Sequence, residues 1–175
     1  LMWPYVSLAW RMTGDPRWDW VEGDPRLIGI FHIEELQPSL GRHADVLRSL
    51  HNATHQPLEQ SVRGGTQTDG ILFRRFEPEI QELRAAVVRT VERYIAELPP
   101  FDANHPFLGV PRQKPIRFAG SWSVRLSHQG HHSNHIHPAG WISSVLYNAL
   151  PDEAEPGPAP PGWLQFGVQS ELNLD

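Results

Sequence analysis

Cysteine is absent from the 175 residues. That removes disulfides, thiolate catalysis and cysteine-bound zinc, and it is compatible with a reducing compartment. An excess of basic residues is also missing: 15 Lys and Arg stand against 20 Asp and Glu, a net charge of -5. Phosphate backbones are held by basic faces, so nucleic acid is not an expected partner. No apolar run approaches the roughly 20 residues that a membrane-spanning helix needs. The opening residues lack the pattern of a secretory leader, so a cytoplasmic protein that does not engage the membrane is expected. No internal repeat is visible.

What remains is an ordinary globular composition, 39% hydrophobic and 20% charged, at a length that can bury one continuous core. The chain starts without Met, directly in the helix-like stretch Trp3 to Trp10, and ends soon after a strand-like one. It is therefore expected to be a domain cut from something longer.

The first third reads as helical and mixed. Residues 1 to 13 carry an amphipathic pattern closed by the turn signal Gly14-Asp15-Pro16. Leu27 to Ile33 reads as a short strand. Pro38 to His51 carries Leu40, Leu47 and Leu50 at helical spacing. Residues 56 to 70 hold three glycines and no period, so a loop is expected there. The strongest helix follows: Ile80, Leu83, Val87, Val91, Tyr94, Ile95 and Leu98 trace one face between Pro78 and Pro99-Pro100. From residue 116 the period changes to two. Phe118, Trp122, Val124 and Leu126 alternate with polar residues, Ile142 to Leu150 reads as a central strand, and Leu164, Phe166 and Val168 open a third. Residues 151 to 162, rich in Pro, are a connection. Helices first and strands later predict an α+β layout with an antiparallel core. On this pattern 1–115 is an N-terminal helical and mixed region that packs on the β core, and 116–175 is that core's first part.

The chemistry of the chain is concentrated in Gly130-His131-His132-Ser133-Asn134-His135-Ile136-His137-Pro138. In an extended segment residues i and i+2 point to one side, so the imidazoles of His135 and His137 can converge on one point. Neutral imidazole suits Fe, Zn, Cu and Ni. His132 and Asn134 flank the pair and can orient it. On the following stretch Ser143 and Tyr147 share the parity of Trp141 and would place a hydroxyl and a phenol in an otherwise apolar small-molecule pocket. Around Gly64-Gly65, either the glycines make a tight turn with Arg63 solvated, or Arg63 and Gln67 close over the site. The isolated His32, His43, His51, His55 and His105 read as surface or satisfied core groups, and Trp122, Trp141 and Trp163 as core fillers.

Three stretches together, Gly120 to Leu126, Asn134 to Ser144 and Gly162 to Gly167, resemble the 2-oxoglutarate and iron(II)-dependent oxygenases. In bacteria these often follow tetratricopeptide repeats. The loop Leu58 to Thr68 and the opening Leu8 to Arg17 resemble the same group. The resemblance implies a double-stranded β-helix, a cupin-like jelly roll, preceded and flanked by helices. It implies iron(II) as cofactor, 2-oxoglutarate as co-substrate, and a dioxygenase acting on a small molecule or a protein. His135 matches the first metal ligand of the family's His-x-Asp/Glu motif. His137 stands where the carboxylate is usual, which makes the site more cationic. Tyr147 matches the position that often holds the far carboxylate of 2-oxoglutarate. The distal His and the basic residue that pairs with 2-oxoglutarate are expected beyond Asp175, so this stretch alone is expected to be inactive. Two other readings stand beside this one: a cupin-like metal-binding protein without oxygenase activity, and a non-catalytic interaction domain.

Overall fold

The computed structural model describes residues 2–53, 55, 60–150 and 163–166. Helix α1 (Trp3–Thr13) is followed by α2 (Arg17–Glu22), two short 3-10 turns, α3 (Leu40–Ser49), strand β1 (Val62–Gln67), a third 3-10 turn, α4 (Pro78–Glu97) and strand β2 (Val124–His132). The described parts of Leu1–Leu36, Glu82–Ala119 and Pro138–Ser143 gather into one compact unit. Those of Gln37–Gln81, Gly120–His137 and Ser144–Asp175 gather into a second.

In the first unit α1 opens with Pro4 in its first turn, where a missing N–H costs nothing, and stops at Gly14, which takes the left-handed φ of 67°. The most buried apolar side chains are Leu36, Leu83, Ala86, Leu98 and Leu108. His105 is buried with them and satisfied: its Nε2–H donates to the Trp20 carbonyl, while Nδ1 accepts from the Phe107 and Leu108 N–H groups. Trp141 packs against Phe107 with the two rings tilted at 42°, and donates its indole N–H to the Phe107 carbonyl. The long helix forms over Pro78–Glu97, as its periodicity predicts, and ends ahead of Pro99-Pro100.

Leu27 to Ile33 is not a strand. Pro25–Leu27 forms a 3-10 turn, and the rest runs on outside any strand, with Ile28 and Ile30 exposed. Phe31 instead lies edge-on to Tyr94 and under the Arg93 guanidinium, and the Tyr94 hydroxyl donates to the Leu27 carbonyl, so this run anchors to α4 through a ring and a carbonyl.

In the second unit β1 and β2 form an antiparallel pair. The loop expected over residues 56–70 is thus corrected, since Val62–Gln67 is a strand. Glycine is disfavoured in strands for lack of a side chain to pack. Here its absence of a Cβ is what lets two backbones close up. A Cβ on Gly130 would stand 2.3 Å from the Gly64 carbonyl oxygen and 2.9 Å from that of Ser127. Gly64 itself has φ 63°.

The register explains why. Val62 pairs with His132 and Arg63 with His131, then Gly65 with Leu126, Thr66 with Arg125 and Gln67 with Val124. Between these two blocks β1 uses one residue, Gly64, where β2 uses four, Ser127 to Gly130. Gln129 accommodates the detour with φ 62°. An enlarged bulge of this kind re-aims whatever follows it, and the histidine segment follows.

The alternating pattern read from residue 116 becomes a strand only at Val124. Ile142 to Leu150 and 164 to 166 are not strands, and no jelly roll forms among the described residues, whose only sheet has two strands. A strand needs a partner for its backbone N–H and C=O groups, and residues 143–147 are exposed with no strand beside them among the described residues. Val168 and 151–162 lie outside the described residues. The architecture shown is mixed helix with a small antiparallel sheet, compatible with α+β.

Candidate metal centre

The His135 and His137 rings meet just beyond the end of β2. Their Nε2 atoms are 2.9 Å apart and their ring centroids 4.8 Å. Two imidazole nitrogens bound at about 2.1 Å to one ion and subtending a right angle would be about 3 Å apart, so the spacing is that of neighbouring corners of one coordination sphere. The residues stand in irregular backbone ahead of a turn at Pro138-Ala139, not at the mouth of a strand. The i, i+2 relation brings the rings together all the same.

His135 is oriented from its other nitrogen. Its Nδ1–H donates to the Ser133 carbonyl at 2.9 Å, which leaves the Nε2 lone pair facing His137. In the neutral, metal-free pair the His137 Nε2–H therefore donates to His135. For both lone pairs to face a cation, His137 must carry its proton on Nδ1 instead. Partial burial, then the neighbouring His135, lower the pKa of His137. Burial followed by its three neighbouring imidazoles lowers that of His132. Both shifts favour the neutral ring that a metal requires.

Two further side chains shape the centre. Trp122 presents an edge-on contact to His137 at 5.5 Å between centroids. It is 41% exposed, so its expected place in the core is corrected; Trp163, 69% exposed, is no core filler either. His132 stacks on His135 at 5.7 Å and 29°. It is held by Ser61, whose hydroxyl lies 2.8 Å from His132 Nδ1. The Ser61 carbonyl also accepts from the Ser133 N–H and hydroxyl. Nothing in the sequence singled out Ser61. It lies 71 residues from His132, and only the β1–β2 register brings it there.

The other expected residues lie as follows. Asn134 is exposed between the ligands and Ser133. Arg63 pairs across the sheet with His131, but its guanidinium turns back onto the Gln60 and Val62 carbonyls. Gln67 pairs with Val124, five residue steps from Val62 and so about 17 Å along the strand. Tyr147 is 46% exposed in the irregular stretch of the second unit. Ser143 belongs to the first unit, whereas His135 and His137 belong to the second. Among the described residues no cluster of three or more His, Cys, Asp or Glu is placed to hold a metal. What is present is one pair of converging imidazoles.

Residues 120–171 match the model of a family described as "Putative 2OG-Fe(II) oxygenase". The match takes in His132, His135, His137, Ser143 and Tyr147, and covers less than a third of the chain. Ser61 and Arg63 fall outside it. No curated protein and no solved structure matches the chain.

Proposed function

We propose that the protein is a 2-oxoglutarate- and iron(II)-dependent dioxygenase that oxidises an as yet unassigned substrate, with His135 and His137 as metal ligands. The observation that carries this is the 2.9 Å convergence of their Nε2 atoms within the stretch that matches the oxygenase family. The neutral donors fit iron(II), to which imidazole is suited. Bound there with 2-oxoglutarate, iron(II) would supply the activation of dioxygen that couples decarboxylation of the co-substrate to oxidation of a C–H bond.

The chain's own part in this is to hold and orient. His135 offers Nε2 because Ser133 holds its Nδ1 proton. His137 offers Nε2 once its proton sits on Nδ1, with the Trp122 ring in a T-shaped contact beside it. Tyr147 is assigned to the far carboxylate of 2-oxoglutarate and Ser143 to the same pocket. His132, Asn134, Arg63 and Gln67 are assigned to the surroundings of the ligands. The fold proposed for the whole protein is a jelly-roll core beginning at 116–175, with an N-terminal region 1–115 that packs on it, and tetratricopeptide repeats are a proposed preceding partner. The third ligand and the basic group for 2-oxoglutarate are assigned to no described residue. Cytoplasmic location fits this chemistry; no described helix is long and apolar enough to cross a membrane.

The test is iron(II)-dependent formation of succinate from 2-oxoglutarate by the longest natural form of the protein, under air and under nitrogen. His135→Ala and His137→Ala should each abolish it. One observation favours a second reading: the usual carboxylate is replaced by His137, and a donor set of imidazoles alone also suits zinc, copper and nickel. If 2-oxoglutarate neither binds nor is consumed while a divalent metal still binds, the cupin-like metal protein replaces the oxygenase.

A further inference from the structure

Resting on the assignment of His135 and His137 as ligands, we propose that Ser61 is the residue that positions the pair, acting through His132. Both ligands sit in exposed, irregular backbone, which does not by itself fix the direction of a ring. What fixes His135 is the Ser133 carbonyl on its Nδ1–H and the His132 ring against its face. Both supports lead back to Ser61. Its carbonyl takes the Ser133 N–H at 2.8 Å and the Ser133 hydroxyl at 3.2 Å. Its hydroxyl holds His132 Nδ1 at 2.8 Å.

A single residue at the entry to β1 thus clamps the turn that selects the tautomer of His135 and the ring that stops it from swinging away. Only the tautomer with its proton on Nδ1 can present Nε2 to a cation. Loss of a residue that holds a ligand's second nitrogen or its ring in this way typically weakens metal binding by roughly 10–100-fold. The hydroxyl of Ser61 reaches no ligand directly, so its role is positioning.

The experiment compares the whole chain with Ser61→Ala, Ser61→Thr, His132→Ala and the Ser61→Ala/His132→Ala pair. Cobalt(II) serves as the probe, followed by its visible absorption, and ring-nitrogen NMR of the metal-free protein reports the tautomers. Ser61→Ala should weaken cobalt(II) binding about tenfold or more, the size typical of losing such a support, and shift the tautomer balance of His132, whose Nδ1 loses its partner, while the His135 tautomer, tied through the Ser61 backbone carbonyl, stays as it is. Ser61→Thr, which keeps the hydroxyl, should restore both. The double variant should be no worse than either single one, since the two residues act in series. Unchanged affinity and His132 tautomer in Ser61→Ala, or fully additive losses in the double variant, overturn the proposal. If Ser61→Ala does not fold, the near-isosteric Ser61→Cys takes its place. The ligand assignment has its own control: if the parent binds cobalt(II) no better than His135→Ala does, that assignment fails, and the metal-free tautomer measurement still decides the role of Ser61.

Discussion

The β1–β2 sheet has a serine–histidine contact at each end, and the two ends use histidine in opposite ways. At one end His51 is half-buried with both nitrogens occupied, Nδ1 at 2.8 Å from the Thr66 hydroxyl and Nε2 at 3.1 Å from that of Ser123. Ser123 is locked in turn by Thr68, through its N–H to the Thr68 hydroxyl and its carbonyl to the Thr68 N–H. At the other end Ser61 holds only one nitrogen of His132, and the Nε2 atoms of His135 and His137 face each other near the surface. A ring whose two nitrogens are both taken by hydroxyls joins strands. A ring with one nitrogen fixed and the other turned toward a second imidazole can do chemistry. The difference between a histidine that ties the strands and one proposed to hold a metal lies in where the second nitrogen points.

The sharpest way to break this comparison is to remove a ring from each end. His135→Ala or His137→Ala should eliminate cobalt(II) binding and leave the urea midpoint nearly unchanged, because both side chains lie at the surface. His51→Ala should do the reverse. It leaves two half-buried hydroxyls without their partner and should cost about 1–3 kcal/mol of stability, while cobalt(II) affinity stays within about twofold. A His51 variant that loses metal as readily as the ligand variants would show that the two ends are not distinct.

The bulge that separates the ends gives an intermediate effect. Gly130→Ala places a Cβ against the Gly64 and Ser127 carbonyl oxygens, which belong to backbone and cannot rotate aside. Relief requires the register itself to shift, so a loss of about 1–3 kcal/mol is expected, with weaker metal binding because the histidine segment is re-aimed. Gly14→Ala is the control for generic glycine effects. Its φ is positive too, but its Cβ would meet nothing within 4 Å, and it lies in the first unit, so metal binding should not change.

How much of this was legible follows from what each signal depends on. The α4 periodicity is local, and Pro78–Glu97 formed as read. The His135–His137 convergence is also local, because i and i+2 share a side whenever the chain is extended. Strands are different, since alternation shows which face is apolar but not whether a partner exists. Val124–His132 found one in Val62–Gln67, a glycine-bearing stretch that propensity marks as loop. Ile142 to Leu150 found none among the described residues and stayed irregular. Ser61 was invisible for the same reason, because its meaning comes from a register that spans 71 residues. Trp122 misled through its size: a large apolar ring suggests core, whereas here it flanks an imidazole at the surface.

The smallest expected effect is the pH dependence of the His51 end. Burial first, and then the positive charge of Arg125, push the His51 pKa below its ordinary value of 6.5. The unfolded chain therefore takes up this proton at higher pH than the folded one. The stability that His51 contributes is fully present above about pH 6.5 and is lost as pH falls through the folded-state pKa, where protonation has caught up. His132 and His137 shift in the same direction, so the other end adds a slope of the same sign. The four carboxylates whose pKa is shifted move down, away from this window. Asp15 and Asp24, held by Arg17 and Arg26, titrate near about 2, and Glu35 and Glu77 are lowered below their usual range. Since His51 stays partly in contact with solvent, screening keeps the change between about pH 7.5 and 5.5 small. Urea denaturation of the metal-free protein across that range should show stability falling toward acid. His51→Gln, which keeps a hydrogen-bonding side chain but cannot take a proton, should flatten part of that slope, and His132→Gln together with His137→Gln more of it. If His51→Gln leaves the slope unchanged, the pH sensitivity belongs to the histidine cluster alone, and His51 is a strand tie without an electrostatic role.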